Sequence, residues 1–276
     1  MTLTDDRAKA HGTTAEVLAQ TRAPAGSGWA RTTFVALHHR EYRLLFVGTI
    51  FAQLGFSMMQ VAQGVVAFDL TGKNSAVGLV SLGMGVAMLC LGPFGGALAD
   101  RLSKRGLLMV SQSVMTVAFL LIGVAIITGL ITIWLLVLSS LLLGMMFPIM
   151  GPPRQAMIGD MLRGPLLANG VALQQMAMNG TRLVGPFLAG ALIAVPFIDT
   201  GGTYLVMGVA FAAVVAMLLM MAPTARGRPS GRSLMSDVGS GLRYIWGSPD
   251  LRLLTLVFFG VVLTGFSYQT LMPGFV

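Results

Sequence analysis

The chain has 276 residues, of which 55% are hydrophobic and only 10% are charged, and its formal net charge is +8. Soluble domains carry about 25% charged residues, so this composition excludes an ordinary water-soluble fold. The positive charge does not indicate nucleic-acid binding, because the basic residues fall between apolar segments rather than on one face of a soluble domain.

The chain begins with a polar tail, residues 1–43, which lacks the short apolar core of a cleaved signal peptide. Seven apolar stretches follow, each about as long as the 20 helical residues that cross a hydrocarbon core. The alternating polarity of membrane β-strands is missing, so the spans are predicted to be helices. The predicted spans cover residues 44–68, 76–99, 107–127, 131–150, 168–197, 202–222 and 253–276.

The basic residues indicate the orientation of these spans. With a cytoplasmic N-terminus, all of the 18 lysines and arginines except Lys73 and Arg182 fall on the cytoplasmic side. The sequence therefore predicts a multi-pass protein of the plasma (inner) membrane whose polar tail is cytoplasmic.

The longest break between spans, residues 223–252, is polar and predicts a cytoplasmic linker loop. It separates a six-helix bundle, residues 44–222, from the seventh span at 253–276. No polar tail follows that span before Val276. We therefore expect the seventh span to be the first helix of a second bundle whose remainder is missing, and which a complete pathway would require.

The turn after the second span reads Gly-Gly-Ala-Leu-Ala-Asp-Arg-Leu-Ser-Lys-Arg over residues 95–105. It resembles the G-x-L-A-D-R-x-G-R-[KR] signature of the major facilitator superfamily, with Ser103 replacing the usual glycine. The resemblance implies an all-α fold, in which the first bundle consists of two inverted three-helix repeats. It also implies a cytoplasmic gate, in which Asp100 pairs with Lys104 or meets the N-terminus of a helix from the second bundle. The implied gate residues are Gly96, Asp100, Arg101, Lys104 and Arg105; the alternative is a solvated turn that only sets topology.

A second resemblance covers residues 148–190 and is to the subgroup of this superfamily that contains bacterial siderophore and macrolide exporters. It is carried by Pro153-Arg154-Gln155-Ala156, Ala168-Asn169-Gly170, Asn179, Arg182, Gly185-Pro186 and Gly190, with Asp69-Leu70-Thr71-Gly72 earlier in the chain. We expect Gly185, Pro186 and Gly190 to serve helix packing. Gly92-Pro93-Phe94 in span two is similar to Gly185-Pro186-Phe187 in span five, as internal repeats would predict.

Polar residues within the spans are candidates for the substrate cavity. Gln175, Asn179 and Arg182 follow i, i+4, i+7 spacing and share one face of span five. Gln53 and Gln60 share a face of span one. A structural cluster of hydrogen bonds between helices is the alternative for both sets.

Several kinds of chemistry have no candidate residues. No Asp or Glu falls inside a span, and span four, taken as Ile131 to Met150, contains no arginine. A proton is a candidate coupling ion, but its carrier would lie outside these spans. The sequence has no nucleotide-binding loop, metal cluster or catalytic dyad, so neither an enzyme nor a cofactor is expected.

The expected function is secondary active transport, with export of a small molecule, drug-like or siderophore-like, by alternating access. One alternative is an uptake symporter of the same fold, since cavity polarity does not set direction. Another is a non-transporting membrane scaffold, if only these 276 residues are made.

Overall fold

The computed structural model describes residues 34–222, 234–257 and 260, and this part of the chain is helical. The six spans predicted before the linker are confirmed as helices, joined by short turns that make each helix antiparallel to the next. The six helices are α1 (Arg40–Thr71), α2 (Asn74–Arg101), α3 (Lys104–Ile127), α4 (Ile133–Met161), α5 (Pro165–Ile193) and α6 (Asp199–Leu219).

The lengths of these helices suit a bilayer. The shortest, α6, has 21 residues, which extend for about 32 Å at 1.5 Å per residue. Among the described residues, five helices combine sufficient length with sufficient hydropathy to cross a membrane. The exception, α5, has 29 residues, but amides and Arg182 interrupt its apolar sequence.

Helix α4 extends well past the predicted end of its span at Met150 and ends at Met161. The sequence suggested an earlier end because Pro148, Pro152 and Pro153 fall in this stretch and proline disfavours helix interiors. Neighbouring helices make such prolines tolerable in membrane proteins. The extension carries Arg154 into the body of α4, which corrects the expectation that span four contains no arginine.

The packing of the six helices follows a two-fold pattern. Helix α2 packs mainly against α4, α1 against α5, and α3 against α6. If α1, α2 and α3 correspond to α4, α5 and α6, then the α2–α4 contact in one direction corresponds to the α5–α1 contact in the other. The α3–α6 contact corresponds to itself. The α1–α6 and α3–α4 contacts are related in the same way. This is the pairing expected of two three-helix repeats.

The similar Gly-Pro-Phe sequences of α2 and α5 do not share a packing role. Gly185 is buried against Ser57 of α1, whereas a Cβ at Gly92 would meet no atom within 4 Å. In α2 the close approach is made by Gly95, which lies against the backbone of Pro148 in α4. The repeat is therefore visible in the helix pairing and not in matched glycines.

The core of the bundle is aromatic where α3 meets α6. The Phe119 ring lies edge-on to Phe211 at a centroid distance of 5.1 Å and tilted against Tyr204 at 6.1 Å. All three side chains are fully buried. Large apolar side chains also cover the exterior, including Leu121 and Leu138, as a lipid-facing surface requires.

Segments on either side of the bundle also adopt helical structure. A short 3-10 helix, Val35–His38, precedes α1 and contacts α5. The stretch predicted to be a linker loop contains a helix, α7 (Leu234–Gly247), which contacts α2. Residues 249–257 and 260 are helical, and residues 261–276 of the predicted seventh span lie outside the described part.

Candidate functional site

The first turn of α3 and the last turn of α4 are joined by an ion pair. Lys104 Nζ, in the first turn of α3, lies 2.7 Å from Asp160 Oδ2 in the last turn of α4. The sequence suggested Asp100 as a partner for Lys104. The structure instead pairs Lys104 with Asp160, and the side chain of Asp100 lies outside the described residues.

The next residue of the signature, Arg105, joins α3 to the end of α6. Its Nε donates to the carbonyl oxygen of Leu218 at 2.7 Å, and its Nη2 donates to that of Leu219 at 3.0 Å. The last carbonyls of a helix have no partner within the helix and carry its partial negative charge. Arg105 therefore caps α6 by both hydrogen bonding and charge.

The start of α1 is held by two further contacts with other helices at the same end of the bundle. Glu41 Oε2 accepts a hydrogen bond from the backbone N–H of Ala222, just after α6, at 3.2 Å. The Tyr42 hydroxyl donates to the carbonyl oxygen of Gly170 in α5 at 2.7 Å, in a buried position. Asn169 adds a link to the segment before α1, because its Oδ1 accepts from the N–H of Ala36 at 3.3 Å.

We call these five interactions, made by Lys104, Arg105, Glu41, Tyr42 and Asn169, the end ties. Together they connect α1, α3, α4, α5 and α6 at one end of the bundle. Two residues of the signature, Lys104 and Arg105, contribute to them directly. Arg101 ends α2 and is half-buried, whereas the surroundings of Gly96 lie outside the described residues.

The predicted polar face of α5 is exposed on the bundle. Gln175, Asn179 and Arg182, here called the polar stripe, are all exposed although they lie in the central part of a 29-residue helix. An apolar row of Met176, Leu183 and Phe187 is exposed beside it. Helix α5 therefore turns a partly polar surface away from the bundle core.

The three residues expected to pack α5 differ in their surroundings. Gly185 is buried, and a Cβ at this position would collide with the side chain of Ser57. Pro186 and Gly190 are exposed, and a Cβ at Gly190 would meet no atom within 4 Å. Of these three residues, Gly185 is the one that lies in the close packing of α5 on α1.

The two glutamines expected to share a face of α1 have different environments. Gln53 is buried, with 5% of its surface exposed, whereas Gln60 is exposed. Helix α1 is surrounded by α2, α4, α5 and α6, so only narrow strips of its surface remain open. Gln60 thus lies on the surface of the described bundle, and Gln53 lies within it.

A further polar cluster lies between α1, α3, α4 and α6. A cavity of about 10 Å³, the size of one water molecule, is lined by Thr49, Gln112 and Arg154 along with apolar side chains. Gln112 is fully buried, and neither of its side-chain amide atoms has a protein partner. Arg154 Nε is likewise buried without one.

Sequence reasoning ended span four at Met150 and so did not place Arg154 within the helix. The apolar pattern could have indicated the longer helix, because Met157 and Ile158 continue the pattern past the prolines. Both side chains are fully buried in the structure. Gln174, adjacent to the polar stripe, was also missed. It is buried, and its amide atoms have no protein partner.

Comparison with known proteins places these features in a family. The family model for transmembrane secretion effectors of the major facilitator superfamily matches residues 31–275. A staphyloferrin A transporter from Staphylococcus aureus (strain NCTC 8325 / PS 47) is 27% identical over 234 residues, covering 83% of this chain and 56% of the relative.

A solved structure supports the same fold. The crystal structure of a POT family transporter in complex with a thioalcohol-conjugated peptide superposes with a TM-score of 0.57 at 14% sequence identity, covering 82% of this chain and 47% of that one. The chain thus spans about half the length of the proteins it matches. The chain belongs to the transmembrane secretion effector family of the major facilitator superfamily.

Proposed function

We propose that this chain forms the first bundle of a secondary active transporter that exports a small, siderophore-like molecule across the plasma membrane. The observation that carries the proposal is the polar stripe, Gln175, Asn179 and Arg182, exposed in the middle of a membrane-length helix. Polar and charged groups at that depth are costly in lipid and favoured against a water-filled cavity. A cavity at the face between two bundles is where alternating-access carriers bind cargo.

The end ties suit such a mechanism. Alternating access requires a bundle to rock as one body, and contacts that join five helices at one end resist their separation. The ties use Lys104 and Arg105 of the signature, which leaves Asp100 and Gly96 as the proposed gate residues toward the second bundle. The relative named as a staphyloferrin A transporter supports a siderophore-like cargo.

The test is the water accessibility of the polar stripe. The native Cys90 is exposed and is first replaced by serine. Asn179→Cys in the full-length protein, within native membrane vesicles, is expected to react with a membrane-impermeant thiol reagent, and added cargo is expected to slow the reaction. Val117→Cys, on the exposed outer face of α3, is the matched control and is expected to stay unreactive because lipid covers it.

An unreactive Asn179→Cys in vesicles of both orientations would contradict the proposed cavity. Direction is measured separately, with everted vesicles and an imposed proton gradient. Gradient-driven accumulation of cargo in everted vesicles corresponds to export from the cell. Accumulation only in right-side-out vesicles would favour the uptake symporter, and no gradient-dependent transport in either would favour the scaffold.

A further inference from the structure

The six helices contain acidic groups only at their ends. Glu41 lies in the first turn of α1 and Asp69 in its last; Asp100 and Asp160 lie in the last turns of α2 and α4, and Asp199 begins α6. No carboxylate is therefore available at mid-membrane depth from the described helices of this bundle.

Two arginines lie further from the helix ends. Arg182 is near the middle of α5 and exposed, and the ion pairs among the described residues, Arg40–Glu41 and Lys104–Asp160, do not involve it. Arg154 lies about two turns before the end of α4, with its Nε buried and unpartnered beside Gln112. The central part of α5 and the body of α4 thus carry positive charge that the described carboxylates, which lie at helix ends, do not neutralise.

The neighbours of Arg182 add hydrogen-bond donors rather than opposing charge. Gln175 and Asn179 share its face, and each amide has an NH₂ group that can donate a hydrogen bond to an anion. A guanidinium flanked by amides is well suited to a carboxylate, which accepts two parallel hydrogen bonds from arginine. The exposed Met176 and Phe187 alongside provide apolar surface for a carbon skeleton.

A cation at mid-membrane depth that no carboxylate neutralises attracts an anionic ligand, and the attraction is stronger there than in bulk water because the surrounding helices and lipid lower the local dielectric. From this charge pattern, and resting on the transport function proposed above, we propose that the cargo is an organic anion bearing carboxylates, bound by Arg182 with Gln175 and Asn179. Arg154 then contributes positive potential on the cytoplasmic side of that site. The competing arrangement is a carboxylate from the second bundle that pairs with Arg182, and it is one outcome of the test.

The probe is radiolabelled citrate, with its uncharged trimethyl ester as competitor, and the protein is the full-length transporter in lipid nanodiscs. Citrate is expected to bind and unlabelled citrate to displace it, while the ester does not. Arg182→Gln is expected to weaken binding at least about tenfold, and Arg182→Lys to weaken it by less, because lysine keeps the charge but loses the two parallel hydrogen bonds of the guanidinium. Lys73→Gln removes an equal charge from an exposed outer turn and is expected to leave binding unchanged.

Asn179→Glu tests the same idea without removing the arginine. It places a carboxylate three residues from Arg182, where an internal ion pair forms, and citrate binding is expected to fall as in Arg182→Gln. This variant keeps the test informative if Arg182→Gln does not yield folded protein.

Displacement of citrate by the trimethyl ester, or folded Arg182→Gln with unchanged affinity, would overturn the anion assignment. Absence of citrate binding to folded protein at millimolar concentration would overturn it too, in favour of a second-bundle carboxylate. Either result leaves the transport proposal intact if gradient-driven movement of a neutral or cationic compound is still measured. Loss of all gradient-driven transport would instead remove the proposed function itself.

Discussion

Lys104 Nζ and Asp160 Oδ2 lie 2.7 Å apart and join the first turn of α3 to the last turn of α4. The pair is only partly shielded, since 26% of the lysine side chain and 53% of the aspartate side chain are exposed. Ion pairs of this kind contribute about 0.2–1 kcal/mol. We therefore expect the pair to act mainly by fixing the position of α3 against α4, next to the signature at residues 95–105.

The first prediction concerns this pair. Lys104→Met and Asp160→Asn should each lower the thermal unfolding temperature of the purified protein by only a few degrees, and transport should fall more than stability does. The double variant Lys104→Asp with Asp160→Lys should recover most of the transport, since it restores an opposed pair. Double-mutant thermal unfolding, combined with transport per folded molecule, measures both. Independent, additive losses from the two single variants would contradict the coupling.

The second prediction concerns the capping of α6 by Arg105. Arg105→Lys keeps the positive charge but cannot reproduce two hydrogen bonds, to the carbonyls of Leu218 and Leu219, from one planar group. We expect it to cost about 1–2 kcal/mol of stability, measured as thermal unfolding in detergent. Arg163→Lys, an exposed position in the neighbouring α4–α5 turn, is the control and should be neutral. Equal behaviour of the two variants would show that the cap is unimportant.

The third prediction compares two glycines of α5. Gly185→Ala forces a methyl group into Ser57 of α1, and overpacking of this kind costs about 1–3 kcal/mol. Gly190→Ala points into open space and should be neutral or stabilise the helix by up to about 1 kcal/mol. Thermal unfolding of the two variants side by side separates packing from helix propensity. A destabilised Gly190→Ala would indicate that this face of α5 is packed against something outside the described residues.

Much of the fold could be predicted from the sequence, because the length of each apolar stretch and the position of each basic turn can be read directly along the chain. Spans one to three and six were located to within a few residues. The end of α4 was not, because three prolines gave a local signal for termination that tertiary packing overrides. The helix at Leu234–Gly247 was also missed, since glycines and serines interrupt its apolar pattern.

The candidate site was harder to predict than the fold. Helical spacing identified the face of α5 that carries Gln175, Asn179 and Arg182, because i, i+4, i+7 positions coincide in any helix. It could not separate buried Gln53 from exposed Gln60, which share a face but differ in their depth among neighbouring helices. Nor could it identify Asp160 as the partner of Lys104, because that contact joins residues distant in sequence.

The last prediction compares two buried tyrosines. The Tyr42 hydroxyl donates a 2.7 Å hydrogen bond to the carbonyl of Gly170, tying α1 to α5, whereas the Tyr204 hydroxyl is buried without a protein partner. Removal of the satisfied Tyr42 hydroxyl loses a hydrogen bond whose net contribution is about 0.5–1.5 kcal/mol. Removal of an unsatisfied one relieves a desolvation penalty.

Tyr42→Phe should therefore lower the unfolding temperature of the purified protein, and Tyr204→Phe should leave it unchanged or raise it. The two substitutions delete the same atom from fully buried side chains, so each is the control for the other. A loss of stability in Tyr204→Phe comparable to that in Tyr42→Phe would mean that a bound water or lipid satisfies the Tyr204 hydroxyl. A neutral Tyr42→Phe would mean that α1 and α5 are held together by packing at Gly185 rather than by this hydrogen bond.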